Sequence, residues 1–108
     1  MDLMQDLEYK IQMLDTSIKS LRKTGSEYAK AYTDYRVALA TELIKLKNEG
    51  YAITLAGDIA RGKPEIAKLK FEEISKEAIY KANLESINAI KLEIKIIQEQ
   101  VNKEYSNE

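Results

Sequence analysis

Apolar residues in the first half of the chain recur at steps of three and four. They are Met4, Leu7, Ile11, Leu14, Ile18 and Leu21, then, past Gly25, Tyr28, Tyr32, Tyr35 and Leu39. Held over about five heptads, this alternation predicts a long amphipathic helix whose stripe faces another helix. Leu43 and Leu46 extend the stripe after a repeated four-residue step, a stutter that changes the local supercoil. Asp2 stands where an N-cap belongs. In the second half, Ile87, Ile90, Ile94, Ile97 and Val101 form a clean stripe. Nearer the middle, Ile66, Leu69, Phe71, Ile74, Ala78, Ala82 and Leu84 give a broader face with small residues.

Between these stretches the pattern breaks. The segment 48–64 holds three of the four glycines and the only proline. Gly50, just past Lys45 and Lys47, predicts a helix stop. Residues 51–53 are short and apolar and read as extended or irregular. Thr54 could then cap a one- to two-turn helix over 55–61, ended by Gly62. Pro64 suits the first turn of the next helix and pushes Lys63 out of the helical region. The expected fold is all-α and a single domain: a long antiparallel helical hairpin, coiled-coil-like. Its first arm covers about 2–49, its short helical apex about 50–63 and its second arm about 64–105. Antiparallel pairing sets Met4–Leu21 near Ile87–Val101.

Two features leave the hairpin open to elaboration. Thr24-Gly25-Ser26-Glu27 has the form of a capping box. Either one helix runs through Gly25, at about 1 kcal/mol relative to alanine, or one helix ends there and a second begins. Leu92 and Ile96 lie opposite the Ile87–Ile94–Val101 stripe at 100° per residue. Two helices alone have a thin core. These back-facing aliphatics therefore point to self-association, with a homodimer closing into a four-helix bundle.

Composition mainly excludes. A chain of 108 residues with a net charge of -1 is neither a dedicated polyanion binder nor a disordered acidic tail. With no cysteine and no histidine, it lacks a disulfide framework, the commonest general base and the usual zinc ligands. No apolar run approaches the ~20 residues of a membrane span. The polar-interrupted, acidic start is unlike a signal peptide. These features fit a cytoplasmic protein with no membrane contact.

Candidate chemistry is sparse. Glu72, Glu73 and Glu77 cluster at the start of the second arm, but helical metal sites need such residues converging from several helices. They read as a solvated face balanced by Lys68, Lys76 and Lys81. No nucleophile has a histidine or cysteine partner, and no glycine-rich loop matches a phosphate cradle. We expect no catalytic residue, no metal and no cofactor. Tyr28, Tyr32 and Tyr35, near Lys30 and Arg36, could stack single-stranded bases. Their heptad positions favour core packing instead. From Lys45 to Lys70 six cations face three anions, a net of +3, whereas from Phe71 onward the net is -3. A mildly basic apex makes nucleic-acid binding the alternative function. Tyr51, Ile53, Leu55 and Ile59 are many apolar residues for an idle turn. They either cap the hairpin core or dock a partner. The candidate partner-binding residues are Tyr51, Leu55, Asp58, Arg61 and Lys63, and the self-association residues are Leu92 and Ile96.

Several stretches of the second half resemble small helical proteins of bacteriophages of Gram-positive hosts. They are Gly50-Tyr51, Thr54-Leu55, Asp58-Ile59-Ala60-Arg61-Gly62, Ala67-Lys68-Leu69-Lys70-Phe71 and Ala78-Ile79-Tyr80-Lys81-Ala82. Those proteins tend to come from early genes near recombination and replication functions. The resemblance implies an accessory protein in the bacterial host cytoplasm and transfers no functional residue. The expected function is a non-enzymatic phage accessory protein that binds a host or phage protein, for instance as an anti-CRISPR-like inhibitor of a host defence system. The alternatives are an accessory nucleic-acid-binding factor in phage recombination or replication, and a structural or assembly dimer.

Overall fold

A computed structural model of the chain describes residues 2–106. It is an all-α helical hairpin with three helices: α1 Leu3–Asn48, α2 Ile53–Gly62 and α3 Pro64–Ser106. No strand occurs among the described residues.

The helix ends follow local chemistry. Asp2 caps α1 reciprocally: its carboxylate accepts from the Gln5 N–H at 2.8 Å, and the Gln5 side chain accepts from the Asp2 N–H. At the far end Gly50 takes φ of +100°, which an L side chain rarely adopts. The Tyr51 N–H then reaches the Leu46 carbonyl, and the Gly50 N–H reaches that of Lys47. This is a Schellman ending, and it satisfies carbonyls the helix would otherwise leave open. Pro64 opens α3, and Lys63 before it is extended at φ -68°, ψ 135°.

α1 runs unbroken through Gly25. Thr24 is not an N-cap there, because its hydroxyl donates to the Leu21 carbonyl and to the Asn83 side chain. Thr54 is not a cap either. α2 starts earlier than expected, at Ile53, with Ala52 as an N-cap that offers no side-chain bond.

The chain divides into two compact units. One joins the α1 residues up to Thr24 with the α3 residues from Tyr80 onward; the other is Gly25–Ile79. Within each, α1 and α3 are antiparallel. In the first, Lys10 meets Glu93 and Ser17 meets Asn83. In the second, Glu27 meets Lys76 and Glu42 meets Lys63.

The first unit has an aliphatic seam in which Ile87, Ile90 and Ile97 are buried and Ile94 and Val101 half-buried. On α1 the facing residues depart from the expected stripe. Leu7, Leu14 and Leu21 turn inward, but Met4, Ile11 and Ile18 stay exposed. Leu3, Lys10 and Ser17, one residue earlier in each heptad, take their places, and Thr24 continues the row. The polar groups of Asn83 and Glu93 explain the rotation. Held against α1, they need partners, and Ser17, Thr24 and Lys10 supply them.

The second unit buries Tyr35, Leu39, Leu46, Ala56, Ala60 and Ile66 as one cluster, with Ala38, Leu43, Ile59 and Leu69 against it. α2 closes this cluster with Ala56 and Ala60, four apart on one face. Ala60 is 0% exposed, so the α2 backbone lies close against its neighbours. The face expected on this part of α3 is corrected: Phe71 is 67% exposed, and Ile74 and Ala78 are also outside, as is Ala82 in the first unit. The inward positions are Ile66, Leu69, Glu73 and Lys76, which keep the three-four spacing with polar residues in it. Spacing, rather than hydropathy, marks the seam there.

Candidate docking surface

The apex brings two kinds of residue together. Ala56, Ala60 and Ile59 point into the core and seal it. Tyr51, Ile53 and Leu55 point outward. Within α2, different side chains seal the core and present apolar surface, and Tyr51 just ahead of the helix adds to that surface.

Of the partner-binding candidates, Tyr51, Leu55, Asp58 and Arg61 are exposed. Arg61 folds back across Gly57: a Cβ added at Gly57 would come within 2.9 Å of a guanidinium nitrogen. Lys63 is half-buried, and its ammonium is held by Glu42 of α1. That hydrogen bond lowers the pKa of Glu42 and raises that of Lys63, against the opposing effect of burial on each. Lys63 therefore ties the α2–α3 junction to α1. The self-association residues Leu92 and Ile96 are both exposed on α3, away from the buried stripe of their unit.

A polar belt lines the seam of the second unit. Glu73 is 6% exposed and accepts from Lys70 at 2.7 Å. The same ammonium lies 4.7 Å from the centre of the Tyr35 ring, a cation–π contact. The Glu73 bond raises the pKa of Lys70. Tyr28 donates to Glu77 at 2.8 Å, which raises the pKa of the phenol, and its ring meets Tyr32 edge-on at 6.5 Å. Lys76 reaches Glu27 at 3.5 Å. The Glu72, Glu73, Glu77 cluster is thus only partly a solvated face. Glu73 and Glu77 sit at the seam, where Lys70 of the same helix and Tyr28 of α1 supply the donors that a carboxylate there needs. Tyr28 and Tyr35 pack in the seam and Tyr32 is exposed beside it.

Beside the belt, Glu27, Asp34 and Glu72 share a shallow groove with Lys30 and Lys76. The mixed signs give it no bias toward an anion or a cation. No group of three or more metal-capable side chains converges among the described residues. No helix among them is long and apolar enough to cross a membrane.

One surface lay outside the expected site. Leu43, Ile44, Lys47, Ile53 and Ala56 line a groove of about 200 Å³ between the end of α1 and the start of α2. Ile44 is 63% and Ile53 65% exposed. A signal for it exists in the sequence: Val37 and Ile44 are aliphatics seven apart on α1, off its inward stripe.

Comparison with known proteins returns no match, whether to a family model, a curated protein or a solved structure.

Proposed function

We propose that the chain is a non-enzymatic phage accessory protein that acts in the bacterial host cytoplasm by binding a host or phage protein. Its most concrete form is an inhibitor of a host defence nuclease. One observation carries the reading. The core is already sealed by Ala56, Ala60 and Ile59, so Tyr51, Ile53 and Leu55 are surplus to folding and remain exposed. Exposed aromatic and aliphatic side chains beside Arg61 form the kind of centre that protein interfaces use. Self-association as a homodimer, through Leu92 and Ile96, belongs to the same reading. The nucleic-acid alternative is weakened at the apex, because two of its six cations, Lys63 and Lys70, are engaged by Glu42 and Glu73.

The test compares the native chain with Leu55→Asp as bait in host lysate and with purified candidate nucleases. The expected result is one stoichiometric partner, held by the native chain and lost by the variant at unchanged helicity. No stoichiometric partner, or equal retention by both baits, overturns the reading. Arg61→Ala should fold normally and weaken the same capture.

A further inference from the structure

We infer that α2 is a hinged lid. It swings off the core of its unit while α1 and α3 stay paired, and the Glu42–Lys63 ion pair locks its hinge. The lid is independent of what Tyr51, Ile53 and Leu55 bind.

By itself α2 is a poor helix. It has ten residues, and isolated helices under about 12–15 residues are marginal in water. Ile53, Thr54 and Ile59 are β-branched, and Gly57 sits in its interior. Ala52 supplies no side-chain cap, and the first turn carries no acidic residue to meet the helix dipole. Tertiary contact therefore keeps α2 helical and in place. That contact is small. Ala56 and Ala60 are fully buried, but each brings one methyl group. Gly57 is also buried and brings none, and Ile59 is only half-buried. The large side chains of the cluster, Tyr35, Leu39, Leu46 and Ile66, all belong to α1 and α3.

Both joints of α2 are non-helical. Gly50 takes φ of +100°, and residues 51–52 lie outside either helix. Lys63 is extended between the last residue of α2 and the first of α3. Rotation about these few residues moves α2 without unwinding either long helix. Among the described residues, one side-chain bond crosses from the segment 51–63 to a long helix: the Lys63 ammonium donates to the Glu42 carboxylate. This bond pins the C-terminal joint to α1 and so fixes the angle at which α2 lies on the core. Few buried apolar contacts and one polar tie mark a segment that opens below the free energy of global unfolding. Opening bares the apolar cluster that α2 covers.

Amide hydrogen exchange on the intact native chain tests this. Residues 57–62 should exchange at least about tenfold faster than residues 35–46 of α1 and 66–73 of α3, relative to their intrinsic rates, and with a weaker dependence on denaturant. Equal protection of all three helices, with equal denaturant dependence, overturns the inference, because α2 would then leave only in global unfolding. Two variants address the cause. Gly57→Ala adds a methyl group whose nearest neighbour is the movable guanidinium of Arg61. The difference between Gly and Ala inside a helix should slow α2 exchange about fivefold. Glu42→Gln removes the lock and should speed α2 exchange about threefold. An unchanged rate in Gly57→Ala means that the weakness of the helix does not set its opening, and an unchanged rate in Glu42→Gln means that the hinge is not locked there; either result counts against the lid.

Discussion

The unit made from the two ends of the chain and the unit made from Gly25–Ile79 solve one problem by opposite means. In the first, isoleucines on α3 meet leucines on α1, and polar residues enter at a few places, chiefly Asn83 and Lys10. In the second, the inner faces carry Tyr28, Tyr35, Glu73 and Lys76, and the aliphatic core gathers beneath α2. An aliphatic seam maximises burial and says little about alignment, because one isoleucine layer resembles the next. A belt of paired charges and phenols yields less burial and fixes which residue meets which. The first seam thus favours burial and the second alignment. The second unit also carries the apex, with Tyr51, Ile53 and Leu55 exposed.

This contrast can be broken by five measurements. The largest effect is expected from Ile90→Asp, which puts an unpaired charge where 4% of the side chain is exposed. It should cost at least about 4 kcal/mol and abolish cooperative melting by circular dichroism. Ala60→Leu forces a large side chain into the space beneath α2 and should cost about 1–3 kcal/mol in denaturant titration. A loss as large as that of Ile90→Asp would show that the α2 cluster is no less essential than the aliphatic seam. Gly50→Ala strains the left-handed residue that ends α1 and should cost about 1–2 kcal/mol, again by denaturant titration.

Asn83→Leu should act in the opposite direction. Thr24 keeps its bond to the Leu21 carbonyl, and a layer of the seam becomes aliphatic. Stability should rise by about 1 kcal/mol, while size-exclusion profiles should broaden as alternative pairings become available. A sharper profile would remove any aligning role for this residue. The smallest effect is acid-dependent. Glu42 has a lowered pKa, so its pair with Lys63 contributes fully above the pH at which a free glutamate titrates. That contribution is lost as pH falls through the lowered value. Melting temperatures of the native chain and Glu42→Gln, followed from neutral pH into acid, should therefore converge. Parallel curves would mean that the pair adds nothing.

The architecture was legible because helix stops and starts have local causes. Asp2, Gly50 and Pro64 act on their own neighbours, and each does what its chemistry implies. The clean Ile87–Val101 stripe was legible for the same reason. The middle of α3 was not. Hydropathy pointed to Phe71, Ile74 and Ala78, yet Glu73 and Lys76 turn inward: Glu73 pairs with Lys70 of the same helix, and Glu27 and Tyr28 across the seam meet Lys76 and its neighbour Glu77. Such a partner lies about fifty residues away in sequence and leaves no periodic trace. Thr54 misled for a related reason: a good cap residue was available, but packing of Ala56 and Ala60 on the core set where α2 begins. At the apex, Tyr51, Leu55, Asp58 and Arg61 are exposed, and Lys63 is held by Glu42. The Ile44–Ile53 groove depends on the angle at which α2 returns beside α1, which composition cannot express.

The bonds from Asn83 to Ser17 and Thr24 have a consequence for how this chain can change in length. Seven residues inserted into α1 alone, on the loop side of Thr24, would leave that junction intact and displace everything beyond it. The same insertion with a matching one in α3 before Asn83 would simply lengthen both strokes of the hairpin. Growth or shortening of the two long helices is thereby coupled, and relatives of different size should differ by paired heptads.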